Sequence, residues 1–174
     1  SAARLVEVRN GGGSTTVRLP FGSTWRYWSL WWAPGADWAS AGFDDGAWPE
    51  GAGELGYGEG DEATVVPRTF LSPASTIFRT TIALPAAPVA ARMSIRYDDG
   101  YALFVNGALV ASAGVSSLDH DAWASAVGEN EVERLMLPAS AFRQGANQIA
   151  VMIKQASWSS DDLSFDLELE VDTR

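Results

Sequence analysis

The chain has 174 residues, of which 47% are hydrophobic and 20% are charged, a composition typical of a globular domain with a sizeable core. Its formal charge of −10 argues against binding to nucleic acid or to an anionic membrane surface, since both require a basic surface. Because the chain contains no cysteine, disulfides, thiolate metal sites and cysteine nucleophiles are excluded, and no apolar run is long enough to span a bilayer.

The N-terminal part of the chain contains few strand patterns. Residues 1–14 are interpreted as a linker or a first edge strand, and no signal-peptide pattern is visible there. Residues 20–62 are rich in Gly, Pro, Trp and Asp, and only STWRYW at 23–28 has the character of a strand. We therefore expect long structured loops in this half, which in a compact domain are usually functional or carefully anchored.

The C-terminal half is predicted to consist almost entirely of strands. Residues 89–97 and 162–171 alternate apolar and polar side chains, which predicts strands with one buried and one solvated face. Residues 101–106 are apolar on both faces, which predicts a central strand, and Asn106-Gly107 predicts a two-residue hairpin turn. Further strands are expected at 76–84, 107–112, 132–138 and 147–155. Many short strands without a helix of ordinary length predict an all-β, antiparallel β-sandwich of jelly-roll type, formed by residues 1–174 as one module.

Two adjacent carboxylates, Asp98 and Asp99, precede Gly100 in RYDDGYALFVNG. Turn chemistry is the favoured interpretation, because Asp side chains in turns accept hydrogen bonds from nearby backbone N–H groups. Calcium ligation is the alternative. A catalytic pair is disfavoured, since adjacent side chains diverge whereas glycosidase carboxylates face each other across roughly 5–10 Å. Asp44 and Asp45 in FDDGAW are likewise interpreted as turn and capping residues.

A glycine-rich acidic stretch, GYGEGDE at 56–62, is a candidate calcium site. Its glycines allow the backbone to bend so that Glu59 and Asp61 converge on one cation. Asp161 and Asp162, just before the last strand, are predicted to supply further oxygen ligands from the same end of the sandwich. The alternative is a flexible acidic loop without a metal.

The only histidine, His120, lies between two aspartates in LDHDAW and is predicted to be a solvated side chain on a polar loop. The sequence contains no Gly-x-Ser-x-Gly pattern for a nucleophilic serine. No activated nucleophile or opposed acid pair can be argued from the sequence, so we predict that the chain is not an enzyme.

Aromatic residues in loop-like contexts suggest a sugar-binding surface. Flat aromatic faces stack on the C–H faces of sugar rings, while neighbouring carboxylates accept hydrogen bonds from hydroxyl groups. Packing beneath loops is the alternative, and we expect at least one of the adjacent Trp31 and Trp32 to be buried. The candidate ligand-binding residues are Trp31, Trp32, Tyr57, Trp123 and Trp158.

The order of the sequence motifs resembles that of galactose-binding-like jelly-roll modules of secreted bacterial multidomain proteins. It is also similar to the sugar-binding domain of β-galactosidase-type glycoside hydrolases. The resemblance covers residues 20–171 and rests on STWRYW, GFDDGAW, GELGYGEGDE, IFRTTIAL, RYDDGYALFVNG, GANQIAVMIKQ and SSDDLSFDLEL.

This resemblance implies that Trp25, Trp38 and Trp48 pack in the core and that the protein is secreted or extracellular. It also implies a non-catalytic carbohydrate-binding or accessory module that binds a polysaccharide or other glycan, for which calcium would be a structural ion. The alternative is a structural module that docks onto a neighbouring catalytic domain and binds no sugar, since exposed tryptophans would serve that role equally well. Neither nucleic acid nor insertion into a membrane is expected.

Overall fold

Thirteen strands and one 3₁₀ turn form the part of the chain that this computed structural model describes, which comprises residues 5–10, 14–68, 72–128 and 130–174. The strands are β1 (Val6–Asn10), β2 (Ser14–Leu19), β3 (Thr24–Trp28), β4 (Glu50–Ala52), β5 (Leu55–Tyr57), β6 (Thr64–Val65), β7 (Ser75–Leu84), β8 (Pro88–Tyr97), β9 (Gly100–Val105), β10 (Ala108–Ala113), β11 (Glu131–Leu137), β12 (Gly145–Lys154) and β13 (Leu163–Thr173). The 3₁₀ turn is Ala139–Ala141. Within these residues no helix is long and apolar enough to cross a membrane. The prediction of an all-β sandwich with long loops in its N-terminal half is confirmed.

Sheet I contains seven strands arranged around β13. β8 pairs along one side of β13, while β2 and β5 share the other side. β11 extends the sheet beyond β8, and β1 and β6 extend it beyond β2 and β5. All of these pairs are antiparallel except the short pair of β5 and β6.

Sheet II contains six strands in the order β10-β9-β12-β7-β3-β4. β12 pairs with β7 over its whole length, from Gly145 opposite Leu84 to Lys154 opposite Ser75. β9 lies between β10 and β12 and is buried at every residue, which confirms the predicted central strand. Asn106 and Gly107 have φ angles of 52° and 87°, so the predicted hairpin turn is also confirmed.

The main core lies between the two sheets, and aromatic rings occupy its centre. Phe165 of β13 stacks on Phe78 of β7 with ring centroids 4.2 Å apart and meets the edge of Trp25 at 5.0 Å. All three side chains are fully buried, and burial of one such side chain stabilises the fold by roughly 1.5–3 kcal/mol. The predicted core role of Trp25 is confirmed.

A second apolar cluster covers the outer face of sheet II. Residues 29–49 run across this face, and Trp38 and Trp48 pack there against residues that include Phe104 and Met152. The predicted core roles of Trp38 and Trp48 are thus confirmed. The long N-terminal loop therefore closes a layer of the core.

A buried arginine ties this long loop to the sheet. Arg79 of β7 donates to the Asp45 carboxylate at 2.7 Å and also to the carbonyl oxygens of Trp38 and Ser40. Asp44 caps its own turn by accepting from the N–H of Gly46 at 2.9 Å, as predicted. Asp45 differs from the prediction, because it forms an ion pair with a buried arginine as well as belonging to a turn.

The outer face of sheet I is charged and its charges are paired across strands. Arg92 of β8 donates to Glu170 at 2.6 Å and to Asp172 at 3.0 Å, and Arg18 of β2 pairs with Glu168 and Glu170. The acidic row of the last strand is thus opposed by arginines of neighbouring strands, and such cross-strand pairs of opposite charge stabilise a sheet. From Glu168 to Asp172 this face is partly solvated and its charges are paired, whereas Ser164 and Asp166 at the start of β13 are buried.

The strand registers place several loops at the same end of the sandwich, which we call the loop end. Lys154 at the end of β12 lies opposite both Ser75 and Gly100, and Leu163 at the start of β13 lies opposite Tyr57. Residues 98–99 connect sheet I to sheet II at this end. The loops that follow β3, β5, β10 and β12 therefore all start here, and they contain the predicted ligand and metal residues other than Tyr57, which ends β5.

Candidate functional site

Two loops at the loop end enclose a cleft of about 340 Å³, which we call the tryptophan cleft. The loop after β3 lines one side with Trp31, Trp32 and Ala33, and the loop after β10 lines the other side with Asp119, His120 and Asp121. The cleft therefore places two indole rings near two carboxylates and an imidazole.

Both tryptophans of this cleft are exposed, Trp31 at 41% and Trp32 at 61%, so the expectation that one of them is buried is wrong. The reason is that Trp28 occupies the inner position: its ring packs against Trp48 at 5.4 Å and meets Trp32 nearly perpendicularly at 6.3 Å. The indole N–H of Trp28 also donates to the carbonyl oxygen of Trp32 at 2.7 Å. The exposed rings are thus carried by an anchored loop.

His120 connects the two sides of the cleft, because its Nε2–H donates to the carbonyl oxygen of Leu30 at 2.8 Å. A carbonyl oxygen only accepts hydrogen bonds, so Nε2 carries the proton. Desolvation lowers the pKa of His120, with a further contribution from the charge of Lys154, and the ring is neutral at pH 7. The prediction of a solvated side chain is therefore wrong, because the loop folds back onto the residues after β3 and half-buries the ring.

A buried lysine supports the floor of the tryptophan cleft. The Nζ of Lys154 donates to the carbonyl oxygens of Asp119 and Ala122, both at 2.7 Å, and to the Oγ of Ser75 at 3.0 Å. Burial lowers the pKa of Lys154 to about 8. Sequence reasoning missed this residue, although a single lysine at the end of the apolar strand pattern NQIAVMIKQ was a usable signal.

Asp119 and Asp121 are exposed beside the cleft. The Asp119 carboxylate accepts from the Oγ of Ser117 at 3.1 Å, which orients it within its own turn. Carboxylate oxygens next to flat aromatic faces provide the two contacts that a sugar ring uses, which are hydroxyl acceptors and an apolar surface. Sequence analysis did not select these two residues as ligand contacts.

The other predicted aromatic contacts lie outside the tryptophan cleft. Tyr57 is buried at 7% exposure, donates its hydroxyl to Ser72 at 3.0 Å and is covered by the guanidinium of Arg68, 5.2 Å above its ring. Tyr57 is therefore not an open stacking surface, contrary to the prediction, because Arg68 occupies its face. Trp123 is half-buried and Trp158 is 58% exposed, and ligand binding by these two residues stays a prediction.

A second cleft of about 340 Å³, the aspartate cleft, also opens at the loop end. Its ten lining residues are Asp98, Asp99, Val127, Gly128, Ala156, Ser157, Ser159, Ser160, Asp161 and Asp162. The carboxylate of Asp99, which is only 5% exposed, accepts from the N–H of Gly128 at 3.0 Å and of Ala156 at 2.6 Å. The favoured interpretation of Asp99 as a backbone acceptor is confirmed, but its partners lie in distant loops instead of its own turn.

The two acidic stretches predicted to bind calcium adjoin each other. A Cβ atom at Gly58 would lie only 2.5 Å from the carbonyl oxygen of Asp161 and 2.8 Å from the Cβ of Asp162. The pKa of Glu59 is raised by desolvation and then by the neighbouring carboxylates of Asp162 and Asp61. Negative charge therefore accumulates where these two loops meet.

Groups within the protein already use part of this acidic region. Glu62 accepts from the N–H groups of Glu59 and Gly60 at 2.8 and 3.0 Å, and Arg68 donates to the carbonyl oxygens of Ser160 and Asp161 at 3.1 and 3.0 Å. Across the described residues, no group of three or more His, Asp or Glu side chains is placed to hold a metal ion. Calcium ligation by Glu59, Asp61, Asp161 and Asp162 stays a prediction.

Comparison with known proteins gave no match to any family model and none to the curated proteins. Among solved structures, the chain is similar to a glycosyl hydrolase family 2 member from Bacteroides cellulosilyticus, with a TM-score of 0.59, 16% identity, and coverage of 88% of this chain and 20% of that one. It is also similar to Bacteroides uniformis beta-glucuronidase 2, with a TM-score of 0.55, 14% identity and coverage of 91% and 18%. A beta-glucuronidase of an uncultured Clostridium species is similar with a TM-score of 0.57 and 8% identity. That match covers 99% of this chain and 31% of the other.

At these sequence identities, the likeness shows the fold alone. The chain has the fold of a β-sandwich part of these glycosidases and spans 18–31% of their length.

Proposed function

We propose that this chain is a non-catalytic accessory domain of a larger, extracellular glycoside hydrolase and that it binds glycan in the tryptophan cleft. The observation that carries the proposal is the pairing of exposed Trp31 and Trp32 with Asp119 and Asp121 across one cleft. The likeness to β-sandwich parts of glycosidases supports the accessory role.

Recognition in this cleft combines stacking with hydrogen bonding. A pyranose ring placed on Trp32 covers indole surface that otherwise faces water, and apolar burial stabilises the complex by roughly 25 cal/mol per Å². The Asp119 and Asp121 carboxylates accept hydrogen bonds from equatorial hydroxyl groups at the edge of the ring. An open cleft of this size favours weak binding, with a Kd of about 0.1–1 mM, unless several sugar units are engaged.

The walls of the cleft are fixed before a ligand arrives. Trp28 holds the loop of Trp32, His120 joins the two loops through Leu30, and Lys154 supports the turn that carries Asp119. Prior ordering of the loops lowers the entropic cost of binding, because fewer side chains are immobilised by the ligand.

The position of His120 supports a non-catalytic role. Its Nε2–H is committed to the carbonyl oxygen of Leu30, and its Nδ1 is buried without a hydrogen-bond partner among the described residues. Nε2 already carries a proton, and Nδ1 is buried, out of reach of solvent. Neither nitrogen can therefore accept a proton from a nucleophile or a water molecule in the cleft.

The proposal is tested by titrating a panel of oligosaccharides into the protein and following tryptophan emission and heat release. We expect saturable binding that Trp32→Ala weakens at least tenfold, because the stacking surface is removed. Phe21→Ala is the comparison, since Phe21 is an exposed aromatic residue that lies outside the cleft and is not a candidate ligand contact. Equal affinity of the wild type and Trp32→Ala, or no saturable binding to any oligosaccharide, would show that the cleft is not a glycan site.

A second candidate function is docking to a neighbouring catalytic domain, which is favoured by exposed apolar groups at the loop end. Val127 is 75% exposed and Trp158 is 58% exposed, both close to the aspartate cleft. Titration of the domain that adjoins this chain in the larger protein would test this function. Docking predicts that Trp158→Ala weakens that association, whereas Trp32→Ala leaves it unchanged.

A further inference from the structure

The charge distribution of the tryptophan cleft indicates which class of glycan suits it. Resting on the proposed function, we propose that the cleft selects a glycan with free amino groups over the same glycan in N-acetylated form and over a glycan of uronic acids. The amino group is the part that the carboxylates and the indole faces recognise together.

The accessible charges in the cleft are all negative. Among the described residues that line it, Asp119 and Asp121 carry carboxylates, and no arginine or lysine takes part. The buried Lys154 lies beneath the cleft with its ammonium directed at carbonyl oxygens, and it is fully shielded from solvent. His120 contributes no charge at pH 7, so a ligand meets two carboxylates at the surface.

Aromatic rings strengthen this preference for a cation. An ammonium group within about 6 Å of an exposed tryptophan face is attracted to the ring. An exposed ion pair with one aspartate adds a weak attraction. An amino group on a sugar stacked on Trp32 would lie at the edge of the sugar ring, and Asp119 and Asp121 line the same cleft.

The alternative ligand classes lose one or both contributions. An N-acetyl group keeps the stacking surface but carries no charge, so the ion pairs are lost. A uronate places a carboxylate against Asp119 and Asp121, and the chain as a whole carries a charge of −10. Like charges brought together in one cleft repel each other, so we expect uronates to bind most weakly of the three ligands.

The test uses three oligosaccharides of equal length: β-1,4-linked glucosamine, its fully N-acetylated form and a uronic acid oligomer. Calorimetric titration at pH 7 and 50 mM NaCl should give a Kd about five- to tenfold lower for the amine than for the N-acetylated form. In 0.5 M NaCl this ratio should fall towards two, because salt screens exposed charges.

Two double variants separate a local effect from the overall charge. Asp119→Asn with Asp121→Asn should abolish the preference for the amine while binding to the N-acetylated form persists. Glu7→Gln with Asp44→Asn removes two exposed carboxylates elsewhere on the chain and should leave the preference unchanged. Thermal unfolding of each variant verifies that the fold is intact.

The outcomes distinguish this inference from the function on which it rests. If none of the oligosaccharides binds, the proposed glycan site is wrong and this inference fails with it. If the N-acetylated form or the uronate binds as tightly as the amine, only the charge preference is overturned. The same conclusion follows if the preference survives the Asp119/Asp121 variant or disappears in the control variant, since it then reflects the overall charge.

Discussion

The loop end contains two clefts of equal volume, about 340 Å³ each, and both contain aspartates. In the aspartate cleft the buried carboxylate of Asp99 accepts hydrogen bonds from backbone N–H groups of two other loops. In the tryptophan cleft Asp119 and Asp121 are exposed, and backbone contacts are made by Lys154 and His120. The aspartate cleft therefore fixes the loops, and the tryptophan cleft presents groups to a ligand.

Burial separates the two kinds of acidic residue in these clefts. A buried carboxylate is stable when backbone N–H groups satisfy its oxygens, so a pair such as Asp98-Asp99 marks a place where loops are tied together. Exposed aspartates beside exposed indole rings have no such structural task. The second pattern is the better indicator of a binding surface in this protein.

Substitution of Asp99 by alanine should have the largest effect. It leaves the N–H groups of Gly128 and Ala156 without their acceptor, and we expect a loss of roughly 2–4 kcal/mol in the free energy of unfolding. Chemical denaturation in the presence of EDTA measures this loss.

The matched control is Asp161→Ala in the same cleft. The Asp161 side chain is exposed, and Arg68 bonds only to its backbone carbonyl oxygen, so the change should stay within about 0.5 kcal/mol. Equal stability of the two variants would show that the buried Asp99 carboxylate does not tie these loops together.

The pH dependence of stability should reveal the buried ammonium beneath the tryptophan cleft. The pKa of Lys154 is lowered from 10.5 to about 8, so between these values the unfolded chain binds the proton that the folded chain has released. Stability therefore rises with pH across this window, by roughly 1–3 kcal/mol between pH 7.5 and 9.5. The tyrosines with raised pKa values, such as Tyr57, oppose this trend only above about pH 10.

Lys154→Met provides the control, because methionine fills a similar volume without a titratable group. Urea unfolding of this variant should show no rise in stability between pH 7.5 and 9.5. A rise of equal size in both proteins would assign the effect to other groups and contradict the role of Lys154.

Trp28→Phe should affect the tryptophan cleft more than the fold. The substitution keeps an aromatic ring against Trp48 but removes the N–H that holds the carbonyl oxygen of Trp32. We expect affinity for an oligosaccharide to fall about fivefold, equivalent to about 1 kcal/mol, because the loop is less ordered before binding. Calorimetry measures the change, and Trp158→Phe serves as the comparison. Unchanged affinity of the Trp28 variant would show that loop anchoring does not contribute to binding.

The fold was predictable from the sequence because its signals are local. Period-two alternation in residues 89–97 and 162–171, the Asn106-Gly107 turn and the apolar segment 101–106 each depend on neighbouring residues. The structure confirms these strands and the turn, although Ser164 and Asp166 on the polar side of β13 are buried. The path of the long loop was not predictable. It depends on the contact of Arg79 with Asp45, which are 34 positions apart, and nothing in either segment indicates the other.

The candidate site was predictable only in part for the same reason. Trp31 and Trp32 were selected as aromatic residues in a loop, but their facing wall was not, because His120 meets Leu30 across 90 positions. The sequence predicts Tyr57 as a ligand contact, because no sequence signal indicates that Arg68 covers its ring. Burial and long-range pairing, which decide between a structural and a functional role, are properties of the tertiary structure.

Added calcium should have the smallest effect on stability. Its effect shows whether the aspartate cleft and the neighbouring acidic loop after β5 bind the ion. Arg68 already donates hydrogen bonds to the carbonyl oxygens of Ser160 and Asp161, so we expect weak calcium binding, with a Kd of about 1 mM. At 5 mM calcium this affinity stabilises the fold by about 1 kcal/mol and raises the Tm by roughly 2–4 °C relative to EDTA.

Arg68→Ala tests this prediction further, because it frees the carbonyl oxygen of Asp161 for the ion, whereas that of Ser160 still accepts from Ser72, and it should enlarge the calcium-dependent rise in Tm. Asp161→Asn with Asp162→Asn should remove the rise. If calcium leaves the Tm unchanged in the wild type and in Arg68→Ala alike, the acidic loops are not a calcium site. Their charge would then act only within the fold, in further contrast to the carboxylates of the tryptophan cleft.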